Sequence, residues 1–472
     1  MQNKNHRQQF RLESIIRSVR AMSVEVQTEY LKMQNEKESN ARSYPRHFPL
    51  VISKAHGVKI TDTEGRVFYD CLAGAGTLAL GHNHDTVVNA IRDVLDQQIP
   101  LHTLDLATPL KLSYMQELFS ILPAEMRDIA KIQFCGPTGA DAVEAAIKLV
   151  KHATGGKSIL AFQGGYHGST QATMSMSGNL SKKQHLQSLL PDVHFLPFPY
   201  EYRCPFGVGE GMTARLSAQY IENLLDDCES GIAAPCGVIV ETVQGEGGAI
   251  PADIEWLKEL RRITAERSIP LIIDEVQTGI GRTGRMFSFE HAGIIPDVII
   301  CSKAVGGSLP MSVVIYREEL DQWQPGAHTG TFRGNQLAMA AGLATLRYIR
   351  EQDVLHNVHL RSEQFMNQLN ALKERYAEIG DVRGRGLMIG VEVVDSMGRK
   401  DRLGHYLPNG ALAESIQREC FKNGLIVELG GRHSAVVRFL PPLNITEQET
   451  NAILAIFEKS VAEAIALATS AC

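Results

Sequence analysis

Two short apolar runs constrain this chain more than anything else in it. Leu271-Ile272-Ile273 is closed by Asp274, and Val298-Ile299-Ile300 is followed within three residues by Lys303. A strand buried on both faces of a parallel sheet is a brief continuous apolar run, not an alternating one. In open α/β sheets, ligands bind beyond the carboxyl ends of such strands. A carboxylate and an amine are therefore expected at one sheet edge. Each has an ordinary alternative: a lysine after a strand is usually a solvated loop residue, and an aspartate there often caps the next helix. The rest of the chain decides between these readings.

Between about 101 and 345, apolar strands alternate with helices. KIQFCG, SILAFQ, VHFLPF, GVIVE, LIIDE, VIICS and SVVIY are the strands, with ADAVEAAIKLVKHA and IEWLKELRRITAE among the helices. That rhythm predicts an α/β domain with a mostly parallel sheet covered on both faces. At 472 residues the chain exceeds what one core organises, so further domains are expected. Residues 1–45 are polar with helical spacing at Ile15, Ile16, Val19 and Met22, which predicts an N-terminal helical arm. Residues 46–100 are β-rich, with a hairpin at Asp62–Gly65 and then a helix, DTVVNAIRDVLDQQ. A helix at 338–350 leads into the last segment, 346–472, which mixes helices with the strands LMIGVEVV, LIVEL and VVRFL. Segments 46–100 and 346–472 are expected to form one discontinuous small α+β domain beside the large domain at 101–345.

Net charge is −6 and forms no long run, so there is no basic footprint for nucleic acid and no source of membrane attraction. No apolar stretch approaches a membrane span, and the N-terminal residues lack the apolar core of a signal peptide. The eight cysteines are scattered without a C-x-x-C pair, the usage of a reducing compartment. A cytoplasmic protein with a small anionic or zwitterionic ligand is expected.

The loops after the strands supply the chemistry. Thr138-Gly139-Ala140 lies between KIQFCG and a helix, where free amide groups, a hydroxyl and a glycine make an anion site suited to phosphate. The G-x-G-x-x-G spacing of a dinucleotide site is absent. Gly164-Gly165-Tyr166-His167-Gly168 follows SILAFQ and leaves room for a planar ring to stack on Tyr166. Glu241 ends GVIVE, and Glu246 sits in a Gly-rich loop read as mobile. Arg438, on the apolar strand VVRFL before Pro441-Pro442, needs a carboxylate partner, either Glu246 or a substrate. His82 and His84 are read as loop or capping histidines, not as metal ligands. Amine, carboxylate, stacking ring and phosphate site together are what pyridoxal phosphate requires. The lysine forms a Schiff base with its aldehyde, and the carboxylate keeps the pyridine nitrogen protonated.

Thr138-Gly139-Ala140, YHG at 166–168, ETVQGEGG at 241–248, DEVQTGIGRTG at 274–284, SKAVGG at 302–307, GTFRGN at 330–335 and RFLPPL at 438–443 occur in the order seen in class III aminotransferases. The chain resembles these fold-type I pyridoxal-phosphate transferases over roughly residues 50–445. Within the class, DCLAGAGTLALGHNH and YHGSTQATMSMSGN resemble the bacterial members that move the 4-amino group of L-2,4-diaminobutyrate to 2-oxoglutarate. The resemblance implies that Lys303 carries the cofactor and then acts as base, and that Asp274 pairs with the ring nitrogen. Gln277 would meet the ring hydroxyl, Gly139 and Ala140 the phosphate, and Tyr166 the ring face. Thr138, His167, Glu241 and Val276 would complete the cofactor shell. Thr331 would reach the phosphate of a neighbouring subunit, implying a homodimer with shared active sites. Arg438 would bind the α-carboxylate of glutamate and 2-oxoglutarate, with Glu246 covering it while the diamine is bound. Ser169 stands where ornithine and 4-aminobutyrate aminotransferases have a carboxylate-gripping arginine, which makes 4-aminobutyrate a poorer substrate. Alternatives are an ornithine, polyamine or β-alanine aminotransferase of the class, an aminomutase, or a non-catalytic pyridoxal-phosphate-binding protein.

Overall fold

The computed structural model describes residues 24–186, 188–209 and 211–470. The apolar positions expected to form an arm, Ile15 to Met22, lie outside them. The first described element is the helix Val24–Lys37.

Strands β1 (Ile52–His56), β2 (Lys59–Asp62) and β3 (Val67–Asp70) come first. The β2–β3 turn falls at the predicted hairpin, where Gly65 at φ +86° donates its amide to the Asp62 carbonyl. The next strands are β4 (Ala130–Phe134), β5 (Ser158–Phe162), β6 (Val193–Leu196), β7 (Pro235–Val240), β8 (Val243–Gln244), β9 (Ile250–Pro251), β10 (Leu271–Asp274), β11 (Val298–Cys301) and β12 (Val313–Arg317). The chain ends with β13 (Ile379–Arg385), β14 (Met388–Val393), β15 (Leu425–Ile426), β16 (Glu428–Gly430) and β17 (Val436–Phe439).

The main sheet has seven strands in the order β4-β12-β11-β10-β7-β5-β6. It is parallel except for β12, which runs antiparallel to both neighbours. Successive side chains of a strand point to opposite faces, and here each face has its own core. Ile159, Ile239, Ile272 and Ile300 pack into one cluster with the helix Gly139–Thr154. Leu160, Val238, Leu271, Ile273 and Ile299 join the larger cluster on the other face. Covering both faces is what makes the strands continuously apolar. Each fully buried Leu, Ile or Val contributes about 1.5–3 kcal/mol relative to exposure.

Besides the two-stranded pair β8-β9, two four-stranded sheets accompany this one. In β1-β2-β3-β15 the short β15 pairs in parallel with β3, so residues 52–70 and 425–426 share a sheet. The other runs β13-β14-β17-β16. The segment LIVEL, expected as a single strand, is thus divided: Leu425–Ile426 belongs to one sheet and Glu428–Gly430 to another. Val427 between them is fully buried. His82 Nε2 bonds Asp70 Oδ2 at 2.8 Å, and His84 occupies the N-cap position of the helix Asp85–Asp96. No helix among the described residues is long and apolar enough to cross a membrane.

Candidate active site

Strands β4, β5, β7, β10 and β11 all end at one edge of the sheet, and the residues just beyond them converge. Asp274 is the last residue of β10 and pairs with Ile300 of β11, so Lys303, three residues on, emerges beside it. Asp274 is almost fully buried, and both its oxygens are held: Val276 N–H donates to Oδ1 at 3.0 Å and His167 Nδ1 lies 2.8 Å from Oδ2. Burial disfavours charge on His167, but the hydrogen bond and charge of Asp274, with Glu241 beyond, outweigh it and raise the imidazole pKa. The carboxylate keeps lone pairs for a further donor.

Lys303 is the opposite case. Its amine has no hydrogen bond or ion pair among the described residues. Burial pushes its pKa down, against the pull of Glu246 and Asp274. Its backbone sits at φ +51°, a left-handed conformation costing a non-glycine residue of order 1 kcal/mol and persisting where the surroundings enforce it. The enforcing element is the tight turn Lys303–Gly306, which ends on Gly307 at φ +56°. A Cβ on Gly307 would lie 2.2 Å from the Ala341 carbonyl oxygen of the helix Gln336–Glu351. Gly307→Ala is expected to lower stability by about 2–4 kcal/mol and to misplace the amine, measurable as a shifted denaturation midpoint with reduced turnover.

The other predicted residues assemble around this pair. Thr138 caps the helix Gly139–Thr154, its hydroxyl accepting the Asp141 amide at 3.3 Å, so the helix presents its first amides and positive end at the edge. A Cβ on Gly139 would stand 3.0 Å from the Val276 methyls, and one on Gly168 2.8 Å from Ala140 Cβ, which places both loops against the helix start. Tyr166 keeps an exposed ring, and its hydroxyl is 3.1 Å from Ser169 Oγ. Glu241 is a brace between loops: it accepts the Tyr166 amide at 2.8 Å and the Gly245 amide at 2.9 Å. Burial raises its pKa to about 7. Gln277 donates to the Ala75 carbonyl at 2.9 Å. Thr331 is exposed and begins the turn Thr331–Gly334, which ends on a buried Gly334. Just upstream, His328 Nε2 meets Asp141 Oδ2 at 3.1 Å and so ties this segment to the first turn of the capped helix.

Arg438 on β17 is fully buried, and its Nη2 lies 2.6 Å from Glu246 Oε1. The same nitrogen is 2.6 Å from Glu428 Oε2, a second carboxylate absent from the sequence reading. Burial raises the carboxyl pKa of both glutamates. For Glu246 the Arg438 charge prevails and the net shift is downward, while Glu428 stays raised, with Glu246 adding to the effect. The Glu246 loop is not loose at its backbone. Gly431 N–H donates to the Glu246 carbonyl at 2.9 Å, and Arg383 Nε to the Gly248 carbonyl at 2.9 Å. Freedom at Glu246 therefore belongs to its half-exposed side chain.

These residues fit pyridoxal phosphate. A partnerless lysine amine, a buried carboxylate with capacity for one more donor, an open aromatic face and a helix start cleared by glycine match its aldehyde, ring nitrogen, ring face and phosphate. The fold and this constellation define a fold-type I transaminase. An amine transaminase from an uncultivated Pseudomonas species, solved with pyridoxal phosphate bound, superposes with a TM-score of 0.80 at 27% identity, covering 91% of this chain and 98% of that one. A transaminase from directed evolution by ancestral reconstruction gives 0.82 at 26% identity, over 93% and 99%. The class-III aminotransferase family model matches residues 40–461, and the chain belongs to that family. It is an aminotransferase, and its cofactor is pyridoxal phosphate. Among its relatives, the diaminobutyrate–2-oxoglutarate aminotransferase of Rhizobium meliloti (strain 1021) is 53% identical over 91% of this chain and 92% of its own. That of Haemophilus influenzae (strain KW20) is 51% identical over 93% and 96%.

Proposed function

We propose that this enzyme moves the 4-amino group of L-2,4-diaminobutyrate to 2-oxoglutarate, giving L-aspartate 4-semialdehyde and L-glutamate reversibly. The reading rests above all on the 2.6 Å pair of Arg438 and Glu246 beside the unpartnered amine of Lys303. The diamino acid reacts at a carbon bearing no carboxylate, whereas glutamate reacts at one that does. A single site serves both when the arginine for that carboxylate has a removable cover. The names of the relatives at 51–53% identity support this substrate pair. So does Ser169, whose hydroxyl is engaged with Tyr166 where other members of the class are expected to carry an arginine.

When bound, pyridoxal phosphate supplies the carbon to which an amine attaches and a ring that accepts the electron pair left by a broken C–H bond. Lys303, its pKa lowered by burial, has a larger neutral fraction than a free lysine. It would take the proton from the reacting carbon of the substrate and return it two atoms along, on the far side of the amine nitrogen. Asp274, steadied by His167, holds a proton at the ring nitrogen. The amides of Gly139 and Ala140 and the Thr138 hydroxyl bind phosphate, while Tyr166 covers the ring. Glu246 covers Arg438 for the diamino acid and turns aside for the α-carboxylate of glutamate.

Single-turnover half-reactions with each donor test this. Arg438→Lys removes planar two-point recognition and should slow the glutamate reaction by about a hundredfold or more, against less than about tenfold for L-2,4-diaminobutyrate. Glu246→Ala should reverse the preference by leaving Arg438 open. Equal losses for both donors in both variants would refute the switch. We further infer a cytoplasmic homodimer in which Thr331 reaches the neighbour's phosphate site, with small-domain segments at 46–100 and 346–472 around the large domain. The seven described cysteines, all free thiols, favour a reducing compartment. Its diaminobutyrate would feed 1,3-diaminopropane or siderophore synthesis.

A further inference from the structure

Arg438 sits between two carboxylates that differ in kind. Glu246 belongs to a loop, and its side chain is 42% exposed. Glu428 is 11% exposed and stands directly opposite Arg438 in the antiparallel pairing of β16 with β17. Strand register therefore fixes where it points. Tyr44, from the turn of helix Tyr44–His47, donates its hydroxyl to Glu428 Oε1 at 3.0 Å and holds the carboxylate from the other side. Glu246 can rotate into solvent, whereas Glu428 is locked by strand register and by Tyr44.

This difference matters because Arg438 is buried. If Glu246 were its sole counter-ion, releasing it would strand a desolvated guanidinium, which is strongly unfavourable. With Glu428 in place the guanidinium stays paired in either position of Glu246. Its Nη1 and Nε carry hydrogens with no acceptor among the described residues, so donors remain for an incoming carboxylate. The charge balance also changes with Glu246. With Glu246 on Arg438, two carboxylates face one guanidinium and the group is net negative. With Glu246 turned away, Arg438 and Glu428 form a neutral pair. A short diamino acid carries two ammonium groups and one carboxylate near neutral pH, while glutamate and 2-oxoglutarate are anions.

We propose that Glu428, steadied by Tyr44, is a specificity-determining residue: the permanent counter-ion of Arg438, which gives the covered site its net negative charge and so favours donors with a second ammonium group. This deepens the substrate reading above and rests on Arg438 as the carboxylate-binding cation. Glu428→Gln keeps the shape and removes one charge. In the holoenzyme it should raise KM for L-2,4-diaminobutyrate about tenfold with kcat nearly unchanged, as expected for a charge acting a few ångströms away. The same variant should bind glutarate, a dicarboxylate without an amine, several-fold more tightly by calorimetry, because the arriving carboxylate replaces Glu246 on Arg438, so the guanidinium is never left unpaired, while the repulsion from Glu428 is gone. Tyr44→Phe should shift both quantities in the same directions by a smaller factor. A merely structural role would weaken both ligands together. Parallel loss, or no change in either, overturns the proposal. Arg438→Lys run alongside separates the two levels. If it discriminates between donors while Glu428→Gln does not, only this inference falls. If it discriminates between none, the underlying reading falls first.

Discussion

Lys303→Ala is expected to remove transamination almost completely while leaving the protein folded. In the proposed mechanism one amine both carries the cofactor and moves the proton, so both functions go together, and a loss of about 10²–10⁴-fold follows from the proton transfer alone. The structural consequences should be small. The left-handed backbone at Lys303 costs alanine about what it costs lysine, so the strain there is unchanged. The removed group is a desolvated amine with no partner, whose burial favours nothing in the fold. The cofactor-free variant should therefore melt no lower than the wild type, since strain and unpaired polar groups at active sites are kept at the expense of stability. Pyridoxal phosphate should still bind through the helix start and Asp274, with an absorbance spectrum of the free aldehyde. Turnover within about tenfold of wild type would defeat the assignment of Lys303, and a melting temperature lowered by many degrees would show that the amine is structural.

Much of this site was legible because it follows from one rule. Chemistry sits where apolar strands end, and the runs closing at Asp274 and Cys301 are too short and too uniformly apolar to be anything but strands covered on both faces. The loops at Thr138, Tyr166 and Glu241 follow other strands of the same sheet, so convergence on one edge was implied once the sheet was mostly parallel. Direction was not legible for β12. SVVIY is an apolar run that looks the same whether it runs with its neighbours or against them, and only β11 and β4 on either side decide it. Pairing across the chain was hidden as well. His167 and Asp274 meet over 107 residues, and no local pattern marks the histidine as its partner. Glu428 was missed for a further reason. The segment LIVEL looks like one strand, and only its division between two sheets brings Glu428 opposite Arg438. Residue types thus marked the groups that end strands, whereas register determined which of them face each other.

Asp274→Asn should give the second largest effect, and it separates electronics from architecture. Asparagine has the same shape, and its oxygen still accepts the Val276 amide now bound at 3.0 Å, so the turn after β10 should persist. What changes is charge. On the proposed reading the ring nitrogen of the cofactor would lose the carboxylate that holds its proton, and electron uptake by that ring would weaken. Removing one such electrostatic contact in a dry site costs about 10²–10³ in rate, and both donors should suffer alike, because the ring serves both. The companion effect is on His167. Its pKa is raised by Asp274 and Glu241 against the pull of burial, so without the carboxylate it should fall toward or below the ordinary imidazole value. The ring would then be neutral at pH 7, with Nδ1 accepting from the asparagine amide instead of donating. Nitrogen-resolved NMR of the imidazole would report this change independently of rate. Cofactor affinity should drop far less than the rate, since the proposed phosphate contacts are with Thr138, Gly139 and Ala140, not with Asp274. Half-reaction rates near wild type for both donors would mean that the carboxylate does not govern the ring nitrogen, and an unshifted His167 titration would mean that it does not hold the charge on the imidazole.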